Sequence, residues 1–145
     1  MMTFDRYLHK TYAAWLGKLI GIRLGSPVEN WTSQEIKDTY GTLTDYPVDY
    51  GIFAADDDAN GPLFFVRALL EEPNADIDVE KLGDVVLNYI SDGHGFFWWG
   101  GKGISTEDTA YQNLKEGIKA PFSGSIETNG KELAEQIGGQ IFSDC

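Results

Sequence analysis

Between Asp5 and about Leu24, the residues Leu8, Tyr12, Trp15, Leu16, Leu19 and Ile20 recur at steps of three and four. One apolar stripe at that period can only be laid down by a helix, and Gly25 with Pro27 beyond it supplies the stop. The spacing predicts one long core helix there, and the same period returns along the chain. A second helix is expected to start near Pro62, a residue tolerated in a first turn, and to carry Leu63, Phe64, Val66, Leu69 and Leu70 to Glu72-Pro73. A third begins with Asp78 as N-cap and places Leu82, Val85, Val86, Tyr89 and Ile90 on one face, with Gly93 after it. Ser105 or Thr106 opens a fourth, with Ala110, Tyr111, Leu114 and Ile118. A fifth is expected from about Asn129, holding Leu133, Ile137 and Ile141, with Gly138-Gly139 inside it as a sign of close helix contact. Thr32 and Glu35 have capping-box spacing, but Tyr40-Gly41 and Pro47 keep that helix short and leave 41–52 as loop. No segment alternates convincingly as a strand, so the expectation is an all-α fold, a single domain over 1–145.

Composition narrows the function classes. A hydrophobic fraction of 42% with 13% aromatic residues is ample for a core in one domain. A formal charge of −12, with eleven Lys and Arg against 23 Asp and Glu, offers no basic patch for nucleic acid and argues against an anionic membrane. The single cysteine, Cys145, permits neither an internal disulfide nor a CxxC metal pair. No basic-then-apolar leader and no run of about twenty apolar residues occurs, so a soluble, cytoplasmic protein is expected. The sequon Asn30-Trp31-Thr32 carries little weight by itself. The chain stops three residues after Ile141-Phe142 with no Gly or Pro stop, so the last helix reads as unfinished and the chain as the N-terminal portion of something longer.

Asp56-Asp57-Asp58 is the stretch least explained by folding. Three adjacent carboxylates repel unless solvated or neutralised, and hard divalent cations are the usual neutralisers of clustered oxygens. An acidic helix N-terminus, complementing the macrodipole, explains the same residues equally well.

Four blocks in order resemble the ADP-ribosylglycohydrolase family. They are Gly17 to Glu29 (GKLIGIRLGSPVE), Asp56-Asp57-Asp58, Trp98 to Glu107 (WWGGKGISTE) and Ser123 to Gly130 (SGSIETNG), and the closing Ala134 to Phe142 (AEQIGGQIF) looks like one bacterial branch of that family. The resemblance implies an all-α fold with two divalent ions, Mg²⁺ or Mn²⁺, in a cleft among its helices. It implies hydrolysis of the C1″ glycosidic bond joining the distal ribose of ADP-ribose to a protein side chain or small acceptor. Asp56, Asp57 and Asp58 match the first metal motif, with Asp57 also placed to act in catalysis. The second motif, Asp-x-Asp-Thr/Ser, comes downstream in relatives and does not occur in this chain, so the ligand set here is incomplete.

By the same resemblance, Glu29 is a catalytic glutamate at the site mouth that reaches substrate or a metal-bound water. Ser123, Gly124, Ser125, Asn129 and Gly130 match the loop that wraps the diphosphate, where small residues let backbone N–H groups approach phosphate oxygens. Gly100 and Gly101 border that cleft. Trp98 and Trp99 read as core before adenine platform, and His94 as a loop residue before a ligand. Two departures stand out. Ile22-Arg23 occupies the place of Asp-Ala in many relatives, and Ala59 follows the aspartates where Thr is common, removing a hydroxyl that supports the metal shell. The functional expectation is therefore a metal-dependent ADP-ribosyl hydrolase, catalytically incomplete as this fragment. The alternatives are a truncated, non-catalytic helical domain that binds ADP-ribose or a partner, and a plain acidic interaction domain.

Overall fold

The computed structural model describes residues 1–51, 57–71, 73, 76, 78–91 and 100–142. Every regular element among them is a helix, and the contacts divide the chain into two compact units, Met1–Ala54 and Ala55–Cys145.

In the first unit, α1 spans Phe4–Gly25 and is opened by Thr3, whose hydroxyl accepts from the Arg6 N–H. A 3₁₀ turn, Ser26–Val28, follows. Helix α2, Ser33–Tyr40, has the full capping box: the Thr32 hydroxyl accepts from the Glu35 N–H at 3.2 Å, and the Glu35 carboxylate accepts from the Thr32 N–H at 2.7 Å. Two of the four donors orphaned at its N-terminus are thereby satisfied. Residues 41–51 are irregular, as the glycine and proline spacing implies. One expectation changes. The stripe of α1 forms, but none of its residues is buried, and Phe4, Tyr7, Leu8, Tyr12 and Ile20 lie open. Among the described residues, Arg23 in its last turn and Ser26 beyond it bond by their side chains to Tyr50 of the same unit.

In the second unit, α3 covers Asp57–Glu71, α4 Val79–Tyr89 and α5 Thr106–Lys115. Helix α3 begins five residues before the expected start, so Pro62 lies inside it. An interior proline forfeits one ladder bond at a cost of about 3 kcal/mol. Here the ring is among the most completely buried side chains, and the flanking Gly61 leaves room for the Phe142 ring, so packing offsets the loss. The Asp78 cap of α4 is as expected, accepting from the Lys81 N–H at 2.9 Å.

The expected fifth helix is broken into α6 (Ile126–Asn129), α7 (Lys131–Ala134) and α8 (Gly138–Ile141). Gly130, at φ +78°, closes α6 and opens α7, a conformation a helix interior cannot contain. The bends let three residues reach different targets. The Gln136 amide accepts from the Thr106 N–H and donates to the Ile104 carbonyl, Gly138 lies against Thr106 and Glu107, and Phe142 packs by Gly61 and Phe65. The glycine pair thus marks close contact at Gly138, while a Cβ on Gly139 would meet nothing within 4 Å.

Candidate functional site

Asp57 and Asp58 are the first two residues of α3 and are half-buried. They lie in the first turn of that helix, where the macrodipole favours negative charge. Asp56 lies outside the described residues, as do His94, Trp98 and Trp99. Hard carboxylate oxygens are the donors Mg²⁺ and Mn²⁺ accept, so this pair fits either ion chemically. Among the described residues, no three His, Cys, Asp or Glu side chains gather around one point.

The residues expected at the substrate loop are arranged along α5. At its N-terminus, Gly100 (φ +93°) passes so close to Ser105 that a Cβ would sit 2.6 Å from its Oγ, and Gly101 (φ +120°) accepts from the N–H groups of Ile104 and Ser105. Ser105 caps the helix by accepting from the Asp108 N–H, and the Thr109 hydroxyl accepts from the Gly103 N–H at 2.8 Å. Further along α5, the buried Asn113 donates to the Ser123 carbonyl at 2.9 Å and to Asn129 Oδ1 at 2.7 Å, while Asn129 donates to the same Ser123 carbonyl at 2.9 Å. Ser105 and Asn113 are eight residues apart, about 12 Å along the axis. The two glycines and the Ser123 to Gly130 loop are therefore tied to one helix but not to one point on it.

The loop's backbone is occupied from within. The N–H groups of Ser123, Gly124, Ser125, Asn129 and Gly130 donate to Lys119, Pro121, Phe122, Ser125 and Ile126 carbonyls respectively. An approaching phosphate would thus meet side-chain hydroxyls rather than these N–H groups. Ser125 caps α6 by accepting from the Thr128 N–H, and the Glu127 carboxyl is held below the usual carboxylate range by its own backbone N–H and then by the Ser125 hydroxyl.

A cavity of about 340 Å³ opens beside this loop in the second unit, with Leu82, Val86, Ala110, Tyr111, Ser123 and Phe142 among its walls. Its size matches a small-molecule pocket, and its lining is almost wholly apolar, so it suits a ring and not a diphosphate. Asn113, Thr109 and Gln136 were not singled out from the sequence. For Thr109 and Asn113 the sequence carries only a polar pair at i, i+4 beside the apolar face of α5, and for Gln136 it carries no local signal.

In the first unit, Glu29 follows the 3₁₀ turn and is exposed, and Asn30 beside it takes φ 63°. Asn is one of the few residues that enter that region at small cost. Glu29 belongs to the first unit and Asp57 to the second.

The sequence matches the model of one protein family, ADP-ribosylglycohydrolase, over residues 3–142. The chain belongs to that family. Neither a curated protein nor a solved structure gives a match. The all-α architecture accords with the family assignment, and among the described residues no helix is long and apolar enough to cross a membrane.

Proposed function

We propose that this ADP-ribosylglycohydrolase family member acts on ADP-ribose conjugates as a metal-dependent hydrolase of the ribosyl glycosidic bond. The family match from residue 3 to 142 carries the reading. Support comes from the half-buried Asp57 and Asp58 at the opening of α3, whose hard carboxylate oxygens suit Mg²⁺ or Mn²⁺; in this reading Asp56 joins them as a ligand. A bound divalent ion supplies Lewis acidity and a fixed point for orienting the ribose hydroxyls. Asp57 takes the proton from the attacking water, the role a carboxylate fills at ordinary pH. In the first unit, the exposed Glu29 takes the part of the family's catalytic glutamate toward the substrate. Ser125 and Asn129 line the diphosphate side with Ser123, Gly124 and Gly130, while Gly100 and Gly101 keep the border low enough for the substrate to approach.

The test is calorimetric titration of the protein with ADP-ribose in Mg²⁺ and in EDTA, together with release of ADP-ribose from a modified protein. Binding that needs Mg²⁺ and weakens about tenfold or more in Asp57→Asn is expected, since losing a hydrogen bond to a charged group costs about 1.5 to 3 kcal/mol. Release of ADP-ribose supports the hydrolase, and binding without release moves the chain to the non-catalytic reading. Equal affinity with and without Mg²⁺ would sink the metal site.

A further inference from the structure

Ile22-Arg23 in the last turn of α1 stands where the family resemblance implies Asp-Ala, and the surroundings of Arg23 show what it does here. Its Nη2 donates to the Tyr50 carbonyl at 3.3 Å and lies 3.6 Å from the Asp49 carboxylate, while the guanidinium sits 4.8 Å from the centre of the Tyr46 ring. Asp49 is almost fully exposed, so that ion pair contributes little by itself. The carbonyl bond and the ring contact lie on the covered side, where the Arg23 Nε is buried with no hydrogen-bond partner. One helical turn on, the Ser26 and Tyr50 hydroxyls are 3.1 Å apart. Tyr50 thus grips the end of α1 at two successive points, by its backbone and by its side chain.

The grip closes a ring of chain. From Ser26 the path runs through Glu29 and Asn30 to Trp31, which donates to the Val28 carbonyl and stacks on Tyr40 at 6.1 Å. It continues through α2 and residues 41–51 back to Tyr50. Glu29 is exposed at the corner of the turn that the Trp31 N–H to Val28 carbonyl bond closes, so that turn keeps its own shape and closure of the ring sets how it is carried on the end of α1. A lysine could not replace Arg23 here, because a point charge lacks the flat face that covers Tyr46.

We propose that Arg23 is a positioning residue: by clamping residues 46–50 onto the end of α1 it fixes the Ser26 to Asn30 turn and the direction in which Glu29 meets an ADP-ribosyl substrate. This rests on the reading of Glu29 given above. The experiment is titration with ADP-ribose in Mg²⁺ for wild type, Glu29→Gln, Arg23→Ala and the double variant, with amide hydrogen exchange across 41–51. Arg23→Ala is expected to hasten exchange there and weaken binding about fivefold, and to add less than about twofold once Glu29 is already Gln. Tyr50→Phe, which removes the Ser26 hydroxyl bond and keeps the backbone bond to Arg23, moves in the same direction by about twofold and guards against a misfolded Arg23 variant.

A full Arg23 effect in the Glu29→Gln background, or faster exchange with unchanged affinity, overturns the proposal and leaves the site reading intact. Recovery of affinity in Arg23→Lys also overturns it, since charge alone would then suffice. Wild-type affinity in Glu29→Gln, or no binding by wild type, removes the reading of Glu29 and the proposal with it.

Discussion

Asn113 shows how much one side chain holds in this protein. It is 3% exposed, and its two amide hydrogens go to the Ser123 carbonyl and the Asn129 side chain, tying the 123–130 loop to α5. Asn113→Ala removes two bonds, leaving the Ser123 carbonyl with Asn129 alone and the part-buried Asn129 Oδ1 without this donor, and the expected loss is about 1 to 3 kcal/mol by chemical denaturation, with the loop amides exchanging faster. Asn113→Asp should cost more, because a carboxylate would face two oxygens. Wild-type stability in both variants would show that the loop is held by other means. The aspartates, Glu29 and the loop glycines were legible in sequence because they belong to motifs with a fixed order. Asn113 and Gln136 were not, since their partners lie 10 and 30 residues away and no local pattern announces such a bond.

Among the elements, those with their own caps were readable. Thr32 and Asp78 each satisfy donors within three residues, so α2 and α4 start where local chemistry puts them. The start of α3 was hidden because Pro62 normally marks a first turn, and only burial of its ring explains its interior position. The breaks around α6 to α8 were hidden because Leu133, Ile137 and Ile141 keep helical spacing, yet Ile137 is exposed once Gly130 turns the chain. The glycines of these helices give opposite expectations. A Cβ on Gly61 would collide with the buried Phe142 ring, so Gly61→Ala should lose about 1 to 3 kcal/mol despite its better helix propensity. Gly139→Ala meets nothing and should be neutral or gain up to about 1 kcal/mol, and a melting comparison of the two checks both. Helix α2 should also be sensitive to acid. The Thr32 backbone N–H, then its hydroxyl, holds the Glu35 carboxyl below the usual carboxylate range. A lowered folded value means the stabilisation is complete above the unfolded value and is lost as pH falls through the folded one. An NMR titration should place the Glu35 midpoint below that of an unfolded peptide, with the Thr32 amide losing protection in step, and Glu35→Gln should flatten that pH response.

At the scale of the whole chain, 23 acidic against 11 basic residues leave a charge of −12, nearly all of it on residues 55–145, where 17 acidic face 6 basic residues and self-repulsion opposes compaction. Any salt that shortens the Debye length relieves this, from about 10 Å at 0.1 M to about 3 Å at 1 M. Sodium chloride should therefore raise the melting temperature, and so should magnesium chloride at the same ionic strength. Screening treats the two nearly alike, whereas an ion held at Asp56, Asp57 and Asp58 adds binding energy to the native state alone. With an affinity of about 1 mM, 10 mM Mg²⁺ contributes about 1.4 kcal/mol, or about 4 °C beyond the sodium control for a chain of this size. The excess should vanish in the Asp57→Asn, Asp58→Asn double variant, which still responds to sodium. Removing those two charges lessens self-repulsion but forfeits their interaction with the helix dipole, so each salt response is read against the variant's own melting point without salt. Matched sodium and magnesium curves in the wild type would instead mean that the aspartates serve α3 as an acidic N-terminus and hold no ion.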